Sequence, residues 1–303
     1  MQREVIPSGR ALGAEVRGID FSSPLSDDDK AFVKQAWNDH LVIFFRGKPL
    51  SDEDLIRMAD EFGGSQVAGS RQYYLNAGYD EKSGRVSKYP GITIISNLDE
   101  NGKPVLKNAG TGSSAISWHT DNSYVESPPK GSILYGLQVP VNGGGDTMFI
   151  NQYKTYETLP EDLKRRIVGL HIKHDTSRNT AGGLRPSAVL PKSREEVIGP
   201  VHPIVRVHPD TGRKALYLGR RYAPPSSHIV ELPEAESETL LDALWAHATQ
   251  EAFVYSHAWQ RHDAVMWDNR CTMHTRTAVD PTQAREMHRT LIKGEEIIAA
   301  TAP

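Results

Sequence analysis

The chain has 303 residues, 38% hydrophobic and 24% charged, with 35 basic residues against 38 acidic ones for a formal net charge of −3. That balance argues against a basic nucleic-acid footprint and an acidic solvating tail, and a chain this long can bury roughly three quarters of its unfolded surface around a dry interior site. One cysteine, Cys271, excludes an internal disulfide framework and any multi-cysteine metal cluster. Met1 to Arg10 contain no apolar leader core, and the most apolar run, Leu41 to Phe45, is far shorter than the ~20 residues that span a bilayer. A cytoplasmic globular protein without membrane or nucleic-acid partners is therefore expected, with 12 histidines as its most unusual supply of chemistry.

In chain order, Ser26 followed by three aspartates predicts a helix start ahead of Phe32, Val33, Ala36 and Trp37. Leu41 to Phe45 reads as a buried strand stopped by Arg46-Gly47. Ser51 caps a second helix carrying Leu55, Ile56, Met58, Ala59 and Phe62, closed by Gly63-Gly64. Further helices are expected over 160–169, with Pro160 in the first turn, and over 234–248, behind Pro233. Short strands are expected at 92–96, 132–139, 146–150, 201–207, 215–219, 253–259, 264–268 and 287–293, most separated by turn signals such as Pro128-Pro129 and Pro209-Asp-Thr-Gly212. Many strands with few long helices predict a mainly β protein with flanking helices, a barrel or jelly roll, in a single domain over 1–303. The segments 64–117 (in its polar parts 63–91 and 99–117) and 175–200 exceed simple connections, which makes them lids, inserted binding loops or disordered stretches.

The sharpest local feature is Trp118-His119-Thr120-Asp121. On a strand, residues i and i+2 share a face, so His119 and Asp121 are placed to ligate one borderline divalent ion. Such a pair also arises as ordinary surface or hydrogen-bonding residues, so it needs a second half. Downstream, Val265-Met-Trp267 reads as a buried strand, Asp268-Asn-Arg270 as a turn, and His274 lies where the chain re-enters the sheet. The next strand carries Arg285 and Arg289 on one face, on the order of 13 Å apart. Buried guanidiniums need anionic partners. Either acidic side chains from other strands meet them, or two separate small anions do; Glu286 points the other way.

These residues resemble the taurine / 2,4-dichlorophenoxyacetate dioxygenase family of Fe(II)/2-oxoglutarate-dependent oxygenases. That family's pattern is a His-x-Asp, a Thr or Ser about 25 residues on, a distal His, and an Arg about 11 residues beyond it. Here the run is His119-x-Asp121, Thr147, His274 and Arg285, and the flanking Leu12 to Asp20, Phe44-Phe-Arg-Gly47, Trp267 to Arg270 and Met287-His-Arg289 agree with it. The resemblance implies a double-stranded β-helix (a cupin-like jelly roll) in which His119, Asp121 and His274 hold Fe(II). It implies that Thr147 and Arg285 bind the distal carboxylate of 2-oxoglutarate, and that O₂ is the other co-substrate. Arg289 would grip the carboxylate or sulfonate end of a small anionic substrate, with Asn122 and Tyr124 beside it. The implied reaction releases succinate and CO₂ and hydroxylates a C–H bond; related halogenases lack the carboxylate that Asp121 supplies here. Homo-oligomers, dimers or tetramers, are frequent in the family.

Taurine-specific relatives carry a His and a Tyr after the second helix, whereas Gly63 to Tyr74 holds no histidine, which argues against taurine itself. Trp267 to Cys271 and Leu216 to Arg220 look closer to the aryloxyalkanoate branch. Two rival readings remain: a Zn(II) enzyme on the same triad, and a non-catalytic barrel that binds an organic acid through its arginines. Trp118 and Tyr124 either fill the core or line a pocket. Asn142-Gly-Gly-Gly145 lacks the Lys and helix of a phosphate loop, and His171 with His174 would point to opposite faces of a strand. His202, His208, His247, His257 and His288 are expected to be structural, and Cys271 a buried inert thiol.

Overall fold

Two serine caps organise the first part of the chain. In the computed structural model, which describes residues 2–67, 71–108, 112–142, 144–185 and 188–300, Ser26 Oγ accepts from Asp29 N at the start of α1 (Asp27–His40). Ser51 and Asp54 complete a reciprocal capping box at the start of α2 (Asp52–Glu61). The other helices are α3 (Arg71–Asn76), α4 (Gln152–Glu157), α5 (Glu161–Ile167) and α6 (Glu234–Ala248). None of the described helices is long and apolar enough to cross a membrane.

The strands are short and run in chain order as β1 (Glu4–Pro7), β2 (Ala14–Arg17), β3 (Val42–Phe45), β4 (Ser65–Gln66), β5 (Thr93–Ser96), β6 (Ile116–His119), β7 (Gly131–Gln138), β8 (Thr147–Asn151) and β9 (His171–Lys173). They continue as β10 (Val201–Pro203), β11 (Val205–Val207), β12 (Lys214–Leu216), β13 (His228–Ile229), β14 (Val254–His257), β15 (Ala264–Asp268), β16 (Thr272–Arg276), β17 (Glu286–Ile292) and β18 (Ile298–Ala299). A large sheet has the order β1-β2-β3-β15-β7-β17-β4, with β5 also on β17; a smaller one has the order β14-β8-β16-β6. Two three-stranded sheets, β10-β9-β13 and β12-β11-β18, flank them.

Alternation along β15 shows why its sequence is apolar from Ala264 to Trp267. Val265 and Trp267 face the smaller sheet and join Phe149 and Tyr255 in one core. Ala264 and Met266 face the other way, against Val33, Trp37, Leu55 and Met58 of α1 and α2. A strand buried on both faces cannot show polar alternation. On the far side of the smaller sheet, Leu240, Leu241 and Leu244 of α6 pack with Ile150 and Met273. Each such side chain contributes roughly 1.5–3 kcal/mol by leaving water.

Most predicted elements stand, but the strand expected over 215–219 ends at Leu216, that over 253–259 covers only Val254–His257, and four further corrections apply. The expected strand 201–207 divides at Ile204 into β10 and β11, because Ile204 N turns to Leu170 O and Tyr217 N bonds Ile204 O. The helix expected over 160–169 ends at Ile167. The polar stretches 63–91 and 99–117 on either side of the expected strand β5 are not bare connections, since they contribute β4, α3 and the start of β6, while residues 68–70, 109–111 and 186–187 of the expected loops lie outside the described residues. Finally, β1, β2, α3 and α4 carry too few periodic residues to announce themselves.

Candidate metal centre

Strand pairing brings the two candidate histidines together. β6 ends at His119, and the β16–β6 register sets His274 opposite it, with ring centroids 4.1 Å apart. Asp121 is not on the same strand, contrary to expectation. It sits two residues beyond the strand end, in a turn where Thr120 N bonds Gly219 O and Asn122 takes φ of +49°. A set of side chains, not strand alternation, aims its carboxylate.

Asn269 performs most of that aiming. Its Oδ1 accepts from Asp121 N at 2.9 Å, and its Nδ2 donates to Asp121 O and Pro129 O, each at 2.9 Å. Ser132 Oγ donates to Asp121 Oδ2 at 2.8 Å. Arg289 Nη1 donates to Oδ1 at 3.0 Å and to Oδ2 at 3.2 Å. Asp121 Oδ1 thereby faces His119 Nε2 at 3.6 Å and His274 Nε2 at 4.0 Å, and one ligand atom from each of the three lies within 4.8 Å of the others. His119 Nδ1 lies 2.8 Å from Ser117 O; a carbonyl only accepts, so Nδ1 carries the proton and Nε2 presents its lone pair.

All three groups are buried. Burial holds both imidazoles below their usual range, and the neighbouring ring of His119 lowers His274 further. Burial alone would raise the Asp121 carboxyl, but Arg289 and then His274 and His119 overcome it and hold it well below the usual carboxylate range. Two neutral imidazoles and one carboxylate form a donor set that fits a divalent transition metal and leaves further coordination positions open.

The triad opens onto a cavity of about 310 Å³ whose wall includes Thr147, Arg276, Arg285 and Arg289. Arg285 stands immediately before β17, where the β7–β17 register shifts between Glu286 and Met287. Its guanidinium is fully buried, its Nε has no hydrogen-bond partner, and among the described residues no carboxylate lies within ion-pair distance. Burial, then nearby Arg276, lowers its pKa to about 9, so it remains charged at neutral pH. A charged group left in that state is costly without an anion. Gly145, at φ +72°, keeps space for it, since a Cβ there would lie 2.9 Å from Arg285 Cδ. Thr147 Oγ1 accepts from Trp259 Nε1 at 3.0 Å, which leaves its own hydroxyl proton free to donate.

The two arginines thus differ: an acid from another segment pairs with Arg289, and among the described residues none lies within ion-pair distance of Arg285. Asn122 and Tyr124 both line the cavity, with Tyr124 Oη donating to Asn122 Oδ1 at 2.9 Å. Trp118 instead packs towards the α6 core. Sequence reasoning missed Asn269, Gly145, Arg220 and Arg276. Only Arg276 had a readable signal, being two residues past His274 on the same strand face; its guanidinium donates to Gly112 O and Ser114 O.

Most of the histidines set aside are satisfied elsewhere, while buried His174 has a hydrogen-bond partner on neither ring nitrogen. His202 meets Val125 O, His208 meets Asp268, His247 meets Thr155 O, His257 meets Asp263, and His288 meets Asp52. His171 pairs with Glu231, away from buried His174. His208, Asp268 and Cys271 form a second close group. There Arg270 and His208 already occupy the Asp268 carboxylate, and burial pushes the Cys271 thiol well up.

A buried two-histidine, one-carboxylate triad beside a cationic cavity, set between β-sheets, defines a metalloenzyme of the kind that activates oxygen on non-haem iron. The chain belongs to the TauD/TfdA dioxygenase family: the model described as "Taurine catabolism dioxygenase TauD, TfdA family" matches residues 4–291. The alpha-ketoglutarate-dependent 2,4-dichlorophenoxyacetate dioxygenase of Cupriavidus pinatubonensis is 33% identical over 296 residues, covering 95% of this chain and 96% of that relative. An alkylsulfatase of Acinetobacter baylyi is 32% identical over 296 residues, covering 94% and 83%. The crystal structure of a taurine dioxygenase from Burkholderia xenovorans matches with a TM-score of 0.74 at 29% identity, covering 98% of this chain and 93% of that one. The enzyme is a 2-oxoglutarate-dependent dioxygenase, with Fe(II) as its metal and 2-oxoglutarate and O₂ as co-substrates.

Proposed function

We propose that the protein hydroxylates a small organic anion, with His119, Asp121 and His274 holding Fe(II), and Thr147 and Arg285 holding the distal carboxylate of 2-oxoglutarate. The observation that carries this reading is that the triad shares its cavity with a buried guanidinium that lacks an anion. Bound iron with 2-oxoglutarate and O₂ supplies the oxidising chemistry, releasing succinate and CO₂. The chain's own residues fix geometry. Ser117 and Asn269 set the ligand orientations, Thr147 donates a hydrogen bond, and Arg285 provides a two-pronged charge-assisted contact. A Zn(II) hydrolytic enzyme would use the same triad but would give Arg285 and Thr147 nothing to do.

Arg289, Asn122 and Tyr124 face the substrate side. The cavity wall adds Tyr74, Tyr79, Ile94 and Leu134, an apolar and aromatic surface that suits an aryloxyalkanoate-like carboxylate, with a sulfonate or sulfate ester as the neighbouring class. The two facing sheets fit one jelly-roll domain, a double-stranded β-helix with flanking helices. The test is anaerobic addition of Fe(II) and 2-oxoglutarate, which is expected to give the visible metal-to-ligand band of a bidentate keto acid. Fully loaded iron with no band would overturn the reading. Screening carboxylates and sulfonates by O₂ consumption then identifies the class.

A further inference from the structure

We infer that Arg220 is a specificity-determining residue, a cation besides Arg289 that selects the anionic group of the prime substrate. This deepens the dioxygenase reading and rests on it. The placement follows from strand registers. Thr147 on β8 pairs with Arg276 on β16, His274 on β16 pairs with His119 on β6, and His119 bridges to Arg220 on the open edge of β6. Arg220 therefore lies about three strand spacings, ~14 Å, across the sheet from Thr147, with both imidazoles between. The co-substrate's distal carboxylate belongs at one end, and the other end has a cation of its own.

That cation has unspent charge. Arg220 is 5% exposed and lines the cavity. Its Nη1 donates to Arg178 O at 3.2 Å, its guanidinium covers the Tyr124 ring at 4.6 Å, and its Nε has no partner. Among the described residues no carboxylate lies within ion-pair distance of it. Arg289 differs, because Asp121 already meets its charge at 3.0 Å. Arg185 lies 4.0 Å over the Tyr124 ring, so a second cation reinforces the same wall. Neutral acceptors alone do not repay burial of a guanidinium, whereas an oxyanion does. The ligand class is an organic oxyanion (carboxylate, sulfonate or sulfate) with an apolar body reaching towards the triad.

The experiment uses the anaerobic protein loaded with Fe(II) and 2-oxoglutarate. 2,4-Dichlorophenoxyacetate, hexyl sulfate and the methyl ester of the first are each titrated in, and the shift of the visible band is followed. Arg220→Gln should weaken at least one oxyanion by about 30-fold, the loss expected when one side of a buried charge pair is removed. It should leave the neutral ester and 2-oxoglutarate affinities unchanged. The shape of the response separates carboxylate from sulfate. Arg220→Lys keeps a charge where Gln removes it, provides the comparison if the Gln variant does not fold, and should lie between wild type and Gln. Oxyanion affinity unchanged in both variants overturns the inference, as does a wild-type protein that responds to neither oxyanion. Absence of the band in wild type is a separate failure, that of the dioxygenase reading, and the inference falls with it.

Discussion

The guanidinium of Arg289 lies 3.0 Å from Oδ1 of Asp121, so a residue on the large sheet braces the carboxylate of the metal triad. This contact ties β17 to the candidate ligand set. It also gives the two arginines different surroundings, since among the described residues no carboxylate lies within ion-pair distance of Arg285. Arg285→Gln is expected to raise the KM for 2-oxoglutarate by about 30-fold or more, whereas Arg289→Gln should spare that KM, raise the KM for the prime substrate and weaken Fe(II) binding by removing the brace on Asp121. Steady-state kinetics with each varied in turn checks this. Equal loss of 2-oxoglutarate affinity in both variants would refute the division.

Asn269 makes three hydrogen bonds with the Asp121 backbone and Pro129 and touches no donor atom of the triad. Asn269→Ala should lower Fe(II) affinity by roughly 10–100-fold, the range seen when groups that orient metal ligands are removed. Anaerobic metal titration gives the number. Asp121→Ala, which deletes the ligand itself, should abolish succinate release.

Gly145 lies against the Arg285 side chain at a backbone angle that side chains rarely adopt. Gly145→Ala should push Arg285 aside and raise the KM for 2-oxoglutarate on the order of 10-fold, a cost of about 1.4 kcal/mol. Iron affinity should be unaffected. A change in iron binding with an unchanged KM would contradict the geometry.

Asp268 anchors a buried network with Arg270 at 2.7 Å and His208 at 2.9 Å, and Arg270 continues to Asp210 and Glu295. Burial opposes its ionisation, but Arg270 and His208 outweigh it and hold the carboxyl far below its ordinary range. A folded-state pKa below the unfolded value of about 3.9 contributes stability that is present above that pH and lost as pH falls. Asp268→Asn should therefore cost roughly 3–5 kcal/mol at neutral pH, since it leaves buried Arg270 underpaired. Denaturant unfolding measured from pH 7 down to pH 3 should show wild type losing its advantage below about pH 4.

Much of the centre was legible because its parts obey local rules. The caps at Ser26 and Ser51 located two helices, and the apolar run Ala264 to Trp267 marked a strand buried on both faces. The motif residues His119, Asp121, Thr147, His274 and Arg285 lie at spacings that mark the family, and four of the five sit on or beside short strands. Asp121 does lie with both histidines, but not for the reason the sequence suggested. Strand alternation does not reach it, and Asn269, Ser132 and Arg289 aim it from three other segments.

The sequence by itself determined the inventory: one triad's worth of donors, two spaced arginines and a balanced charge, because motif spacing and residue type are properties of the chain. Tertiary structure decided which charges remain unspent. Arg285 and Arg220 are buried with no carboxylate in ion-pair distance among the described residues, while Arg289 is paired. The reason is physical. Whether a guanidinium is neutralised depends on a partner within about 4 Å, and β-sheet registers bring together residues more than a hundred positions apart in the chain.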